Sequence, residues 1–202
     1  MGLISNGTTI FDNGSMGSGF GGSLSFISKQ TASASSSISF TSGIDSTYKE
    51  YIFYFVNCHP SNSPVSFTVN FSTDGGSNYN ATKTSAGFQS YHREDGTGGF
   101  LGYASSLDVA QDTGEQMIAG GSVVNDADCG VNGYLQLFNP SSTTFVKHYL
   151  TNANSFDSSS PPYTQNQFSA GYCNTTSAIN GIRFQYSSGN IDSGDIILYG
   201  VN

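Results

Sequence analysis

Charge is what this sequence lacks most. Only 10% of the residues are charged, and 6 basic side chains stand against 14 acidic ones, so the formal net charge is -8. No basic stripe is present to meet a phosphate backbone or an anionic membrane, and we expect neither nucleic acid nor a membrane as a partner. A monomer needs a charged surface for solubility, whereas a subunit buried in an assembly needs less. The composition therefore favours a chain that packs against other protein chains.

Tryptophan is absent, and so is any catalytic motif that we recognise. A glycosidase needs a pair of carboxylates, which usually lie among aromatic side chains, Trp included, that bind sugar rings. A glycine pattern at 17–22 matches GxGxxG, but a dinucleotide site needs it between a strand and a helix, and here it lies in a glycine-rich leader. We therefore predict no enzyme and no cofactor. The carboxylates that would have to carry glycosidase activity are Glu94, Asp95, Glu115, Asp126 and Asp128.

Cysteines are few and poorly spaced for metal or redox chemistry. Cys58, Cys129 and Cys173 are far apart, form no CxxC pair, and lie in or near apolar runs. They are predicted to be buried free thiols, which fits synthesis in a reducing cytoplasm. No metal site is predicted, because a Ca²⁺ site needs more oxygen ligands than the acidic loop at 126–128 offers. The first residues lack the basic and apolar segments of a signal peptide, and no stretch is apolar enough to span a bilayer.

Residues 1–23 differ from the rest of the chain because they are rich in glycine. Glycine at this density costs too much chain entropy for the segment to fold alone. Regularly spaced apolar residues are nevertheless not typical of a flexible linker. We predict an extended anchoring arm that becomes ordered by lying on another subunit, and a disordered leader is the alternative. The arm residues that we expect at a subunit interface are Leu3, Ile4, Ile10, Phe11 and Phe20.

From residue 24 onwards, short runs with apolar residues at every second position alternate with turn residues. The segment 65–72, for example, alternates Val, Phe, Val and Phe with polar residues and is followed by a turn, Asp-Gly-Gly, at 74–76. The pattern predicts an all-β fold: a single antiparallel β-sandwich, jelly-roll-like, over residues 24–202. The last two runs are predicted to form a hairpin across residues 187–190.

The segment 48–56 is apolar on both faces of its predicted strand. Tyr51, Phe53 and Phe55 share one face, and the residues between them are also apolar. A strand of this kind lies inside a sheet and is covered on both sides, by the second sheet and by something else, such as a neighbouring chain. We predict that Tyr51, Phe53 and Phe55 belong to a subunit interface.

Tyrosine is abundant, with 12 residues in the chain. Tyr side chains at loop edges form rigid amphipathic contacts with proteins or glycans. The alternative is that they pack across neighbouring strands. The tyrosines in or beside loops, which we predict as glycan contacts, are Tyr79, Tyr91, Tyr103 and Tyr163.

Four segments in a fixed order carry a family resemblance. They are IDSTYKEYIF at 44–53, STDGGSNY at 72–79, INGIRF at 179–184 and GNIDSGDIILYG at 189–200. Together they resemble a group of bacteriophage virion proteins that are described as tail fibre, head fibre or decoration proteins. The resemblance covers about residues 38–202.

This resemblance implies a jelly-roll-like sandwich, a homotrimer, on the exterior of a virion that is made in the host cytoplasm. The arm at 1–23 would then anchor the subunit to other virion proteins, in the capsid or the tail, and no catalytic residue carries over. The function expected is that of a head decoration (cement) subunit or a short fibre domain, which acts by packing between subunits. The alternative is a carbohydrate-binding module of a tail fibre that recognises a host glycan.

Overall fold

The chain folds into antiparallel β-sheets. A computed structural model describes residues 3–5, 8–12, 15–16, 23–158 and 160–202. One turn of 3-10 helix spans Ser105–Leu107. The strands in the described ranges are β1 (Leu3–Ser5), β2 (Thr8–Asp12), β3 (Ser15–Met16), β4 (Leu24–Ser35), β5 (Ile38–Phe40), β6 (Glu50–Pro60), β7 (Val65–Ser72), β8 (Lys83–Arg93), β9 (Gly99–Tyr103), β10 (Val109–Asp112), β11 (Gln116–Val123), β12 (Val131–Phe138), β13 (Lys147–Asp157), β14 (Tyr163–Cys173), β15 (Gly181–Tyr186) and β16 (Ile191–Val201).

Within the described ranges these strands form three sheets. The large sheet has nine strands, in the order β10-β8-β14-β13-β12-β6-β16-β4, with β9 paired to β8. The small sheet has four strands, in the order β11-β7-β15-β5, and β1-β2-β3 form the third sheet. Side chains of the large and small sheets share one buried cluster. The predicted all-β antiparallel sandwich is therefore confirmed.

Phenylalanines from facing strands fill the centre of this sandwich. Phe55 of β6 lies 5.1 Å from Phe184 of β15 and 5.3 Å from Phe67 of β7, measured between ring centroids. All three rings are buried. Since side chains alternate along a strand, β7 and β15 turn every second residue towards the large sheet. Tilted and edge-on aromatic pairs of this kind add to the stabilisation that comes from burying apolar area.

Strand β6 lies inside the large sheet, between β12 and β16. This is the position expected for a strand with two apolar faces. Tyr51, Phe53 and Phe55 point into the sandwich and are at most 2% exposed. The prediction that these three residues form a subunit interface is therefore wrong, because the small sheet already covers them. The opposite face of β6, with Tyr54 half-buried and Val56 exposed, is the one that a neighbour can reach.

The last two strands do not form the predicted hairpin. Strand β15 pairs with β5 and β7 in the small sheet, whereas β16 pairs with β4 and β6 in the large sheet. The turn at 187–190 therefore carries the chain from one sheet to the other. Both strands have alternating apolar residues, and each buries one face in the common core. This pattern is the same whether two strands pair in one sheet or face each other from two sheets, so it does not distinguish the two arrangements.

The N-terminal segment contains the third sheet. Leu3 of β1 pairs with Phe11 of β2, and Phe11 pairs in turn with Met16 of β3. The exposed side chain of Ile4 is available to another chain. Phe20 lies outside the described residues, and the anchoring role of residues 1–23 stays a prediction.

The cysteines are buried free thiols, as predicted. Burial raises the pKa of Cys58 to about 12, and it raises the pKa of Cys173 to about 12 as well. Thiols in such surroundings do not ionise at neutral pH and are poor nucleophiles.

In the described part of the chain, no helix has the length and apolarity needed to cross a membrane.

Candidate functional site

The outer face of the large sheet, which is turned away from the small sheet, carries a row of aromatic side chains that one residue of β13, Asn152, interrupts. Tyr54 of β6 lies opposite Tyr134 of β12, and Tyr134 lies opposite Asn152 of β13. Asn152 lies opposite Phe168 of β14, and Phe168 lies opposite Phe88 of β8. Directly opposite residues point to the same side of a sheet. The register therefore aligns these side chains in one row across five strands.

Two further strands at one end and one at the other extend this row. On one side, Tyr199 of β16 contacts Tyr54, and Phe26 of β4 contacts Tyr199, each at 5.9 Å between ring centroids. On the other side, Tyr103 of β9 lies opposite Phe88. From β4 to β9 the row crosses seven inter-strand steps of about 4.8 Å, which makes it roughly 34 Å long. We call this row, Phe26, Tyr199, Tyr54, Tyr134, Phe168, Phe88 and Tyr103, the aromatic stripe.

A groove of about 400 Å³ opens within the stripe, above β12, β13, β14 and β8. Phe88 and Phe168 stack along it at 4.9 Å, with their ring planes 14° apart. Leu150 and Ala170 contribute the aliphatic part of its lining, and Tyr103 is at its β9 side. No lining residue is charged. The groove can therefore take an apolar side chain or the face of a flat ring, and it offers no group for acid–base chemistry.

Exposure on this face is high for such large apolar side chains. Phe26 is 63% exposed, Tyr103 68% and Leu101 72%, and Phe88 and Leu150 are also exposed. Single exposed apolar residues are ordinary, but a contiguous patch that crosses a sheet is typical of a protein–protein contact. The outer face therefore has the character of a surface that another chain covers.

Three of the four predicted glycan-contact tyrosines lie at the β8–β9–β14 end of the large sheet. Tyr91 contacts Tyr163 at 4.9 Å and stacks on Phe100 at 5.7 Å, between ring centroids. Tyr103 lies on the opposite face of the sheet, in the aromatic stripe, because it pairs with Phe88 rather than with Tyr91. Tyr79 belongs to neither group, since its ring lies under the guanidinium of Arg183 on the small sheet, 4.6 Å away.

The carboxylates considered for glycosidase activity lie in separate loops. Glu94 and Asp95 follow β8, and Thr97 donates two hydrogen bonds to Asp95 Oδ1, at 2.7 and 2.9 Å, which lower the pKa of Asp95. Glu115 precedes β11 and forms an ion pair with Arg183, 2.5 Å from Oε1 to Nη2. The carboxylates of Asp95 and Glu115 thus have structural partners, in a turn and at a strand end.

Asp126 and Asp128 lie together in the loop between β11 and β12. Their carboxylate oxygens and the sulfur of Cys129 lie within 4.8 Å of one another. His59 contributes a hydrogen bond to the loop, at 3.1 Å from Nε2 to the backbone oxygen of Asp126. Both carboxylates are exposed, as the sequence prediction of an acidic loop requires.

Sequence reasoning missed most of the aromatic stripe. Its members come from seven strands, and only Tyr103 is among the predicted contacts. The single available signal is that Tyr54 and Tyr199 occupy the second apolar face of their strands. Which of the two apolar faces points outwards depends on how the strand pairs with its neighbours in the sheet. A single sequence does not specify this pairing.

The comparisons with known proteins yield no relative. No protein-family model matches this chain, and no curated protein or solved structure matches it either.

Proposed function

We propose that this chain is a non-enzymatic structural subunit on the exterior of a bacteriophage virion, either a head decoration (cement) subunit or a short fibre domain. It assembles with copies of itself, as a homotrimer, by burying the outer face of the large sheet. The observation that carries this proposal is the aromatic stripe, a row of large apolar side chains about 34 Å long that lies on the surface of the subunit.

The strand order supports the jelly-roll part of the proposal. A jelly roll has four strands in each of two sheets, and the chain crosses between the sheets as it builds them. Strands β4-β16-β6-β12 of the large sheet and β5-β15-β7-β11 of the small sheet are arranged in that way. On this proposal, β8, β9, β10, β13 and β14 are additions that widen the large sheet and carry three of the seven residues of the aromatic stripe.

The segments that resemble phage virion proteins have structural roles in this fold, which is what a non-enzymatic subunit requires. Asp45 Oδ1 accepts hydrogen bonds from Thr47 N at 2.8 Å and from the Tyr51 hydroxyl at 3.1 Å. Asp74 Oδ1 accepts hydrogen bonds from Ser72 Oγ at 2.7 Å and from Asn78 N at 2.8 Å. These hydrogen bonds stabilise the turn that precedes β6 and the turn that follows β7 in the chain.

The hydrogen bonds of the turn around Asp74 form over a wide pH range. Asn78 Nδ2 donates to Asp74 Oδ2 at 2.7 Å, and the hydrogen bonds from Asn78 and Ser72 lower the pKa of Asp74 to about 2. A depressed carboxyl pKa stabilises the fold above its unfolded-state value and loses that effect as the pH falls through the folded value. The turn therefore keeps its charge, and its bonds, under all but strongly acidic conditions.

Assembly would stabilise the folded subunit by mass action. Each contact that binds only the folded subunit shifts the equilibrium away from the unfolded chain. Apolar burial contributes about 25 cal/mol per Å² removed from water, and the stripe offers this surface without the cost of desolvating a charge. A shell or fibre of such subunits gains stability with each interface that it closes.

Two measurements on the full chain test this function. Sedimentation velocity at micromolar concentration is expected to give a trimer rather than a monomer. Antibodies raised against the chain are expected to label the outside of virions of the phage that encodes it, as seen by electron microscopy. A monomer at all concentrations, together with virions that carry no label, would contradict the proposal.

A second candidate function rests on the Tyr91 cluster. The rings of Tyr91, Tyr163 and Phe100 are partly exposed and lie beside the half-buried amide of Gln89, whose Oε1 accepts a hydrogen bond from Gln165 Nε2 at 2.9 Å. Rings next to amide groups are suited to a sugar, which needs one apolar face and several hydrogen bonds. This cluster is the part of the surface that a receptor glycan of the host would use.

For the glycan candidate, we expect the double variant Tyr91→Ala, Phe100→Ala to bind host glycans about tenfold more weakly, because two ring contacts of roughly 0.5–1.5 kcal/mol each are lost. A glycan array followed by titration of the best ligand measures the change. Tyr79→Ala, which removes a tyrosine outside the cluster, is the matched control and should bind normally. If the wild-type trimer binds no glycan on the array, the candidate is wrong.

A further inference from the structure

A buried amine and a buried amide lie in contact between the two sheets. Lys83 is the first residue of β8 in the large sheet, and Asn70 belongs to β7 in the small sheet. Lys83 Nζ donates to Asn70 Oδ1 at 2.8 Å, and the residues are 0% and 2% exposed. Among the described residues, no carboxylate forms an ion pair with Lys83. An unpaired lysine at such depth is uncommon, because its charged form loses hydration that only a counter-charge replaces.

Hydrogen bonds fix the amide group of Asn70 in one orientation. Its oxygen accepts a second bond from the backbone N–H of Phe71, at 2.9 Å. Its nitrogen donates to the backbone oxygen of Thr113, at 2.9 Å. The backbone N–H of Phe71 therefore polarises the carbonyl independently of Lys83, as a donor does in an oxyanion hole, and Thr113 holds the amide nitrogen.

The burial of Lys83 increases the share of the uncharged amine, which is the nucleophilic form. Burial lowers the pKa of Lys83, whereas Cys173 and the carboxylates of Glu115 and Asp112 act in the opposite direction. In the large sheet, Lys83 pairs with Cys173, which pairs in turn with Lys147. Lys147 is also buried, and burial lowers its pKa as well, so two lysines with lowered pKa values share this end of the core.

We propose that Lys83 and Asn70 condense to an intramolecular isopeptide bond between Nζ and Cγ. The uncharged Nζ leaves its hydrogen bond to the oxygen and attacks Cγ, and the carbonyl oxygen takes the negative charge while it accepts the hydrogen bond from the backbone N–H of Phe71. One proton then passes from Nζ to Nδ2, the bond between Cγ and Nδ2 breaks, and ammonia leaves. The product is a secondary amide, and no oxidant, reductant or cofactor takes part.

The bond ties the two sheets of the sandwich together covalently. It closes the segment 70–83, which contains the DGG turn and the connection from β7 to β8. A cross-link of this kind stabilises a fold mainly by restricting the unfolded chain. The inference depends only on the contact between the two residues, so it stands or falls separately from the proposed virion function.

Mass spectrometry of the full chain tests this inference. The folded protein is stored and then denatured in the presence of a reducing agent. The intact mass of most molecules is then expected to be lower than the sequence mass by one ammonia. Trypsin should then fail to cut after Lys83, and it should release residues 50–93 as one peptide that lacks one ammonia. Fragmentation between residues 70 and 83 should give no separated fragments, because the cross-link holds both ends.

Variants and alternative products make the result specific. Asn70→Ala and Lys83→Arg should have their full sequence masses. Lys147→Arg should still lose ammonia, because Lys147 Nζ donates to the backbone oxygen of Thr175 and not to a side-chain amide that could release ammonia. The wild-type peptide map decides the matter even if a variant does not fold. A full intact mass with normal cleavage after Lys83 would overturn the inference. So would an ammonia loss that maps to a succinimide at an Asn–Gly pair, such as Asn180-Gly181.

Discussion

Phe184→Ala is expected to lower the free energy of unfolding by about 3–5 kcal/mol, which is the usual cost of removing a buried aromatic ring from a core. Phe184 is completely buried and contacts Phe53 at 5.6 Å, Phe55 at 5.1 Å and Phe67 at 6.1 Å, between ring centroids. It is thus the point where β15 meets β6 and β7. The cavity left by the ring would lie between the two sheets, where neither can collapse without breaking its own ladder of hydrogen bonds.

Urea unfolding followed by circular dichroism measures this change as a shift of the midpoint at constant slope. The matched control is Phe145→Ala, since Phe145 is 67% exposed and should alter the free energy of unfolding by no more than about 0.5 kcal/mol. If Phe184→Ala is too unstable to purify, Phe184→Leu gives a smaller loss in the same direction. Equal midpoints for the Phe184 and Phe145 variants would contradict the core described above.

The sequence predicts those strands best whose two faces differ chemically. In β7, apolar residues alternate with polar ones, and the predicted segment 65–72 has the bounds that the structure shows. In β6 both faces are apolar, so the alternation identifies a central strand but does not say which face points inwards. The interface predicted for Tyr51, Phe53 and Phe55 failed for this reason, although the strand itself was placed correctly.

Polar residues in the core hide parts of the longest strands from a reading of the apolar pattern. The second half of β13 reads TNANSFD, and its inward-facing residues include Thr151, Ser155 and Asp157. Their neighbours on β14 are polar too: Thr151 Oγ1 lies 2.6 Å from Ser169 Oγ, and Gln167 Oε1 accepts a hydrogen bond from the backbone N–H of Gly120 at 2.6 Å. Buried polar groups that find such partners are tolerated, but they remove the apolar signal from which a strand is predicted.

The candidate site was the least predictable part of the molecule. The glycan hypothesis named Tyr91 and Tyr163, which the structure brings into contact, but their role as glycan contacts stays a prediction. The aromatic stripe, in contrast, is assembled by pairing residues as distant in sequence as Phe26 and Tyr199, or Phe88 and Phe168. Such a surface follows from the strand order, which local patterns do not specify.

Placing charges on the aromatic stripe is expected to abolish self-assembly and leave the fold intact. The variant Phe26→Glu, Phe88→Glu puts one carboxylate on each half of the stripe, at side chains that are 63% and 47% exposed. Exposed positions tolerate such changes in the isolated subunit. In an assembly, however, each carboxylate would be buried against an apolar neighbour, on chains that already carry a net charge of -8.

A buried, unpaired charge costs several kcal/mol, and each 1.4 kcal/mol is a tenfold change in affinity, so two such charges should weaken association by at least about 100-fold. Sedimentation velocity is expected to show monomers for this variant at concentrations at which the wild type is trimeric, with unchanged circular dichroism and urea midpoint. Phe145→Glu is the matched control, because Phe145 is an exposed phenylalanine outside the strands of the large sheet. If the double variant still forms trimers, the outer face is not the self-contact. If it unfolds, the stripe contributes to the fold rather than to assembly.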